Sequence, residues 1–185
     1  MRSLERSMSP RRRSTLVAAT IAATALGAGL LVGPRIVDRG SADADALRDA
    51  KFLDLHGRSR ILSEWGGRIL VVNFWATWCA HCLAEIPMLA AARKFYAPHG
   101  VEIVGIAIDL VAKVIEFATK MSIEYPILVA DADGIDLMRR LGNNSGGLPY
   151  TVFLDPNRTP VRHKLGALRR EEFDAVLGEL LLKYR

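Results

Sequence analysis

The sequence predicts an α/β domain built on a central mixed β-sheet flanked by helices. Three observations predict it. First, residues 69–74 (Ile69 to Phe74) are apolar on both faces, as a central strand of a covered sheet should be, and residues 101–108 (Val101 to Ile108) read as a second buried strand. Second, segments of helical periodicity separate these runs from a third, residues 127–130, a βαβ order that implies parallel pairing. Third, residues 150–155 and 161–165 lie so close in sequence that they read as an antiparallel hairpin.

Taken from the N-terminus, the chain begins with a basic tail, residues 1–15, where Arg2, Arg6, Arg11, Arg12 and Arg13 face only Glu5. That surplus carries most of the formal charge of +5, so the remainder is near neutral and a nucleic-acid-binding role is excluded. No charged residue occurs from Ser14 to Pro34. Residues 16–34 are close to the ~20 apolar residues a helix needs to cross a bilayer, and read as a transmembrane signal anchor. Arginines before the span outnumber those after it, which places the N-terminus in the cytoplasm and the rest of the chain outside. The small-residue site near Ala42-Asp43-Ala44 sits far beyond the apolar stretch for a cleaved signal, so an uncleaved anchor is the favoured reading. Residues 35–49, rich in Gly, Ala, Ser and Asp, read as a linker to a domain spanning 50–185.

Within the domain, residues 52–55 and 59–62 form an N-terminal β-hairpin extension turned at His56-Gly57-Arg58. The first buried strand follows the break at Gly66-Gly67. Leu83, Ile86, Leu89, Ala90 and Phe95 then fall at helical spacing up to Ala97, with Pro87 inside the helix and Pro98-His99-Gly100 ending it. A second helix covers 111–121, and a third covers 134–141 with Asp133 as its cap. Asn143 to Gly147 is a loop by composition. An amphipathic helix over 169–184 closes the chain, with Phe173, Val176, Leu177 and Leu180 on one side.

The chemistry gathers where the first buried strand meets its helix. Cys79 and Cys82 are the chain's two cysteines, and they enclose Ala80 and His81. They can pair with each other, with another molecule or with a metal. Unpaired N–H groups at a helix N-terminus favour an anion, and so a thiolate. The three-residue spacing puts Cys82 on the face of Cys79, one turn deeper and within disulfide reach. The combination reads as a redox pair.

The run Val72-Asn73-Phe74-Trp75-Ala76-Thr77-Trp78-Cys79-x-x-Cys82, followed by Glu85-x-Pro87, carries a resemblance. Val104 to Asp109, Tyr125-Pro126-Ile127 and Gly147-Leu148-Pro149-Tyr150-Thr151 extend it. From Phe52 to the C-terminus the chain resembles the thioredoxin superfamily, and more narrowly the membrane-anchored TlpA/ResA/CcmG-type thiol:disulfide oxidoreductases of bacteria. The resemblance implies a thioredoxin-like fold, Cys79 as exposed nucleophile and Cys82 as shielded resolving partner. It implies a cis Pro149 beside the disulfide, leaving the Leu148 backbone free to pair with an extended substrate. It also implies that Glu85 moves protons and tunes the thiols, since Asn73 stands where thioredoxins proper have a buried Asp. Trp78, Leu148 and Tyr150 are the implied substrate contacts. Tyr150 departs from the Glu that CcmG-like proteins carry there. His81 departs from the usual Pro and resembles DsbA-type oxidants, in which a His stabilises the thiolate and makes the pair more oxidising.

The expected function is therefore thiol:disulfide exchange, read as reduction, on periplasmic proteins such as apocytochrome c or copper-oxidase assembly proteins. The resemblance implies a membrane electron donor of the DsbD/CcdA type, a place on the bacterial inner membrane, and no cofactor. The alternatives are a DsbA-like oxidant or a Cu(I) metallochaperone using the same two cysteines. A peroxidase would need a Thr three residues before the attacking Cys, where this chain has Ala76. A zinc site would need two ligands beyond the cysteine pair.

Overall fold

Strand β3 (Ile69–Trp75) lies inside the sheet, and all seven of its residues are buried. It pairs in parallel with β4 (Val101–Ile108) and antiparallel with β6 (Tyr150–Leu154), so both its edges and both its faces are covered. The structure is a computed structural model that describes Leu47, residues 50–130 and residues 132–184. The expected tail 1–15, the span 16–34 and all of the linker 35–49 except Leu47 lie outside the described residues. No helix among the described residues is long and apolar enough to cross a membrane.

Among the described residues one seven-stranded sheet runs in the order β2-β1-β5-β4-β3-β6-β7. The hairpin of β1 (Lys51–Asp54) and β2 (Ser59–Ile61) joins through an antiparallel pairing of β1 with β5 (Ile127–Ala130). The opposite edge is β7 (Pro160–Leu165), antiparallel to β6. The central mixed sheet and the hairpin extension are thus present.

Strand pleating divides the core in two. Val71, Trp75, Ile103, Ala107, Ile127 and Val129 point to one face. They pack there against α1 (Ala80–Tyr96), α2 (Val111–Lys120) and α4 (Arg170–Lys183) through Cys82, Ile86, Leu89, Val114, Phe173 and Leu177. Leu70, Val72, Phe74, Val104 and Ile106 point the other way, onto Leu137 and Met138 of α3 (Ala132–Arg140) and onto Leu47. Each fully buried Leu or Phe side chain stabilises this arrangement by about 2 kcal/mol before chain entropy is counted.

Local departures have local causes. Residues 62–65 coil into a 3₁₀ turn, with Glu64 reaching back to accept the Ile61 N–H at 3.0 Å, so β2 stops at Ile61 and not Leu62. Helix α1 ends at Tyr96 and tightens over Ala97–His99, closed by Gly100 at φ +82°, a conformation suited to glycine. Helix α3 begins at Ala132, so Asp133 lies inside it and is not its cap. Pro87 sits on the exposed side of α1, which runs through it unbroken.

Candidate active site

The site forms where β3 ends and α1 begins. Ala76 is fully buried, and the chain then turns outward through Thr77 and Trp78. The Cys79 N–H closes that turn on the Ala76 carbonyl at 3.1 Å, and the Cys79 carbonyl accepts the first helical bond from Leu83 at 3.1 Å. Cys79 is the helix N-cap in extended conformation, and its sulfur accepts the Cys82 N–H at 3.2 Å. A disulfide joins Cys79 to Cys82, with Cα atoms 5.3 Å apart. Cys79 is half-buried and Cys82 wholly buried, so an incoming sulfur meets Cys79 first. The helix N-terminus points its N–H groups at that sulfur and favours the thiolate once the bond opens.

The turn is tied from the neighbouring strand. Both the N–H and the hydroxyl of Thr77 donate to Oδ2 of Asp109, just beyond β4. Partial burial works against ionising Asp109, yet the Thr77 hydroxyl and the N–H groups of Leu110 and Thr77 hold its carboxyl below the usual range. Sequence reasoning assigned this pair no role, since contacts across parallel strands leave no short-range signal.

Beneath the disulfide lies a buried carboxylate. Glu85, one turn after Cys82, is 3% exposed. Its Oε1 accepts from the Asn73 amide at 2.7 Å, and its Oε2 accepts the Leu168 N–H at 2.9 Å. The same Asn73 amide nitrogen donates to the Thr151 hydroxyl at 3.0 Å. Burial pushes the Glu85 carboxyl above the ordinary carboxylate range, and the bonds from Leu168 and Asn73 offset only part of that. Asn73 carries no charge, so Glu85 is the titratable carboxyl in this layer.

The other expected residues divide. The Leu148-Pro149 bond is cis, and Gly166 donates its N–H to the Pro149 carbonyl at 2.9 Å. Leu148 is half-buried against both core clusters, and no backbone hydrogen bond joins it to another described residue. Trp78 is 69% exposed beside the disulfide, so its indole is free to touch a client. His81 is exposed, and its ring bonds to no described residue, the Cys79 sulfur included. Tyr150 is a correction: expected as a substrate contact, it is 1% exposed and donates its hydroxyl to the Leu141 carbonyl at 2.5 Å. Strand alternation turns it into the far core layer, beneath the loop that ends in Pro149. Beyond Asp109 a groove of about 470 Å³ opens along the carboxyl ends of β4 and β5, lined in part by Leu53, Leu110 and Val111. Among the described residues no cluster of three His, Cys, Asp or Glu side chains could hold a metal ion.

Comparison with known proteins decides the family. The model of the AhpC/TSA family matches residues 44–164, which is more than half the chain. The chain belongs to the AhpC/TSA family. It is 28% identical over 133 residues to the thiol-disulfide oxidoreductase ResA of Geobacillus kaustophilus, covering 71% of this chain and 74% of that protein. It is 29% identical over 125 residues to ResA of Geobacillus thermodenitrificans, covering 67% and 70%. Among solved structures, a thiol:disulfide interchange protein of the thioredoxin family from Chlorobium tepidum matches with a TM-score of 0.61 and 26% identity. That match covers 71% of this chain and 92% of the other. The fold is thioredoxin-like, and the enzyme class is thiol:disulfide oxidoreductase.

Proposed function

We propose that the chain reduces disulfides in periplasmic client proteins from a tether on the outer face of the inner membrane. The observation that carries this reading is the layering of the site: a half-buried Cys79 outermost, a buried Cys82 next, and the buried Glu85 one helical turn further. In the dithiol form, the Cys79 thiolate attacks one sulfur of a client disulfide. An S–S bond forms between them, and the other client sulfur leaves as a thiolate that takes up a proton. Cys82 then loses its proton toward Glu85 and attacks the Cys79 sulfur. This restores the Cys79–Cys82 disulfide and releases the second client thiol. Two electrons pass to the client, and a donor of the DsbD/CcdA type would return them across the membrane.

Several features support the finer parts. The unpaired Leu148 backbone, the cis Pro149 and the exposed Trp78 suit an extended polypeptide laid across Cys79, as apocytochrome c or a copper-oxidase assembly protein would offer. A peroxidase reading is disfavoured because Ala76 has no hydroxyl to orient peroxide and the hydroxyl of Thr77 is committed to Asp109. The apolar span after five arginines supports the tether.

Redox titration of the Cys79–Cys82 pair tests the direction. A potential near thioredoxin's, about −270 mV, supports the reductase, and one near DsbA's, about −120 mV, overturns it. Cys82→Ala should accumulate a mixed disulfide through Cys79 with client protein, and Cys79→Ala should not. A reporter fused at the C-terminus that is active only outside the cytoplasm tests the placement.

A further inference from the structure

Strands β4 and β5 are parallel neighbours, yet the helices that follow them leave to opposite faces of the sheet. Helix α2, after β4, packs through Val114 on the face that carries Val71 and Ile103. Helix α3, after β5, packs through Leu137 on the other. Such a divergence opens a crevice at the carboxyl ends of the strands, where open α/β sheets bind their ligands. Here it is the groove of about 470 Å³ beyond Asp109. Buried Val129, Ala130 and Leu137 line it together with three exposed side chains, Leu53 (46%), Leu110 (67%) and Val111 (38%). Solvated apolar side chains gathered around one crevice mark a binding surface.

The groove is continuous with the disulfide. Asp109 belongs to its lining and accepts the Thr77 N–H at 3.1 Å, and Trp78 and Cys79 are the next two residues of the chain. Trp75, Ala107, Val129 and Leu53 stand side by side across β3, β4, β5 and β1. At about 4.8 Å per strand, the groove begins about 5 Å from the end of β3 and reaches about 14 Å from it at Leu53. An extended polypeptide covers that span in about two to four residues. The chemistry of the site fixes what crosses it. A client must bring a sulfur to Cys79, and the chain flanking that sulfur then lies within reach of the groove. The Asp109 carboxylate is already bound by the Thr77 N–H and hydroxyl and by the Leu110 N–H. What remains for the client beyond it is largely apolar.

We propose that this groove is a specificity subsite of the exchange reaction, in which Leu53, Leu110 and Val111 receive an apolar side chain about two to four residues from the client's attacked cysteine. This inference rests on Cys79 attacking an extended polypeptide, as proposed above.

The test uses the full chain, reduced with dithiothreitol and desalted, and short peptides in which one cysteine carries thionitrobenzoate. Attack by the Cys79 thiolate on the peptide sulfur forms the mixed disulfide and expels coloured thionitrobenzoate. Stopped-flow absorbance then gives a half-saturating concentration and a maximal rate. Leucine replaces serine at the second, third or fourth position on either side of the cysteine. Leucine at the favoured position should lower the half-saturating concentration about tenfold. Leu110→Ser, and separately Leu53→Ser, should remove most of that preference. The maximal rate, and the rate with thionitrobenzoate on free cysteine, should stay unchanged. Equal half-saturation for leucine and serine at every position overturns the inference, as does a leucine preference that survives both substitutions. Cross-linking of the chain into a dimer that Leu110→Ser abolishes would assign the groove to a second copy, and overturns it too. No release from the free-cysteine reagent would instead sink the reading of Cys79 itself.

Discussion

Glu85 and Asn73 meet across the layer between α1 and β3, the carboxylate accepting the amide at 2.7 Å. An amide in that place lets a carboxylate one helical turn from the buried cysteine be the group that changes charge.

Glu85→Gln should therefore slow the resolving step, in which Cys82 gives up its proton, by on the order of 10²-fold. It should also remove the pH inflection above the ordinary carboxylate range. Stability provides a second readout. Burial raises the folded-state pKa, so the folded chain holds its proton more tightly than the unfolded one. The stabilisation is complete below the unfolded value and is lost as pH rises through the folded one. Urea midpoints of the unsubstituted chain should fall over that interval, and those of Glu85→Gln should not. Stopped-flow reduction of a peptide disulfide with unchanged resolution would exclude Glu85 as the proton acceptor.

Thr77→Val should loosen the turn that carries Trp78 and Cys79. It removes one hydroxyl bond to a carboxylate, a loss of about 1.5–3 kcal/mol. The Asp109 carboxyl should also rise, because the Thr77 hydroxyl helps hold it down. Chemical denaturation checks the first effect, and carboxyl NMR titration the second. Client reduction should fall more than reaction with dithiothreitol, since a small thiol needs only the sulfur.

What the chain disclosed in advance follows the range of the forces involved. The passage from β3 to α1 was legible because apolar continuity, the cysteine spacing and the helix start are local. The cis Pro149 came only through resemblance, since a sequence does not show an isomer. The place of β1 beside β5 and the bond from Leu168 to Glu85 were hidden, the latter spanning 83 positions. Tyr150 was misread for a simpler reason. Its neighbours Leu148 and Pro149 adjoin the site, but one step of strand pleat turns its ring away from it.

Tyr150→Phe tests that correction. Loss of the bond to the Leu141 carbonyl should cost about 1 kcal/mol. Burial of the ring predicts that the KM for a client peptide stays as it is. A several-fold rise in KM with stability unchanged would restore Tyr150 to the substrate surface.

The hairpin extension has its own acid limit, set by Asp54. Some burial works against ionising this carboxyl. Against that, Oδ1 accepts the N–H groups of His56 and Arg58 at 2.9 and 3.0 Å, and Oδ2 accepts the Arg58 guanidinium at 2.7 Å. The bonds prevail and hold the pKa down at about 2, against an ordinary aspartate value of 3.8. The sign is opposite to that of Glu85. The stabilisation is fully present above the unfolded value and is lost as pH falls from there through about 2. Protonation would release the turn at Gly57 and, with it, the pairing of β1 to β5 that seats the hairpin on the sheet. Asp54→Asn should therefore weaken the hairpin at neutral pH and flatten its acid sensitivity. The Trp65 ring, 5.1 Å from the Arg60 guanidinium, is a local reporter. In a chain with Trp75 and Trp78 replaced by Phe, its fluorescence should change over that acid interval in the parent and not in Asp54→Asn. An identical acid transition in both would place the acid-sensitive group elsewhere.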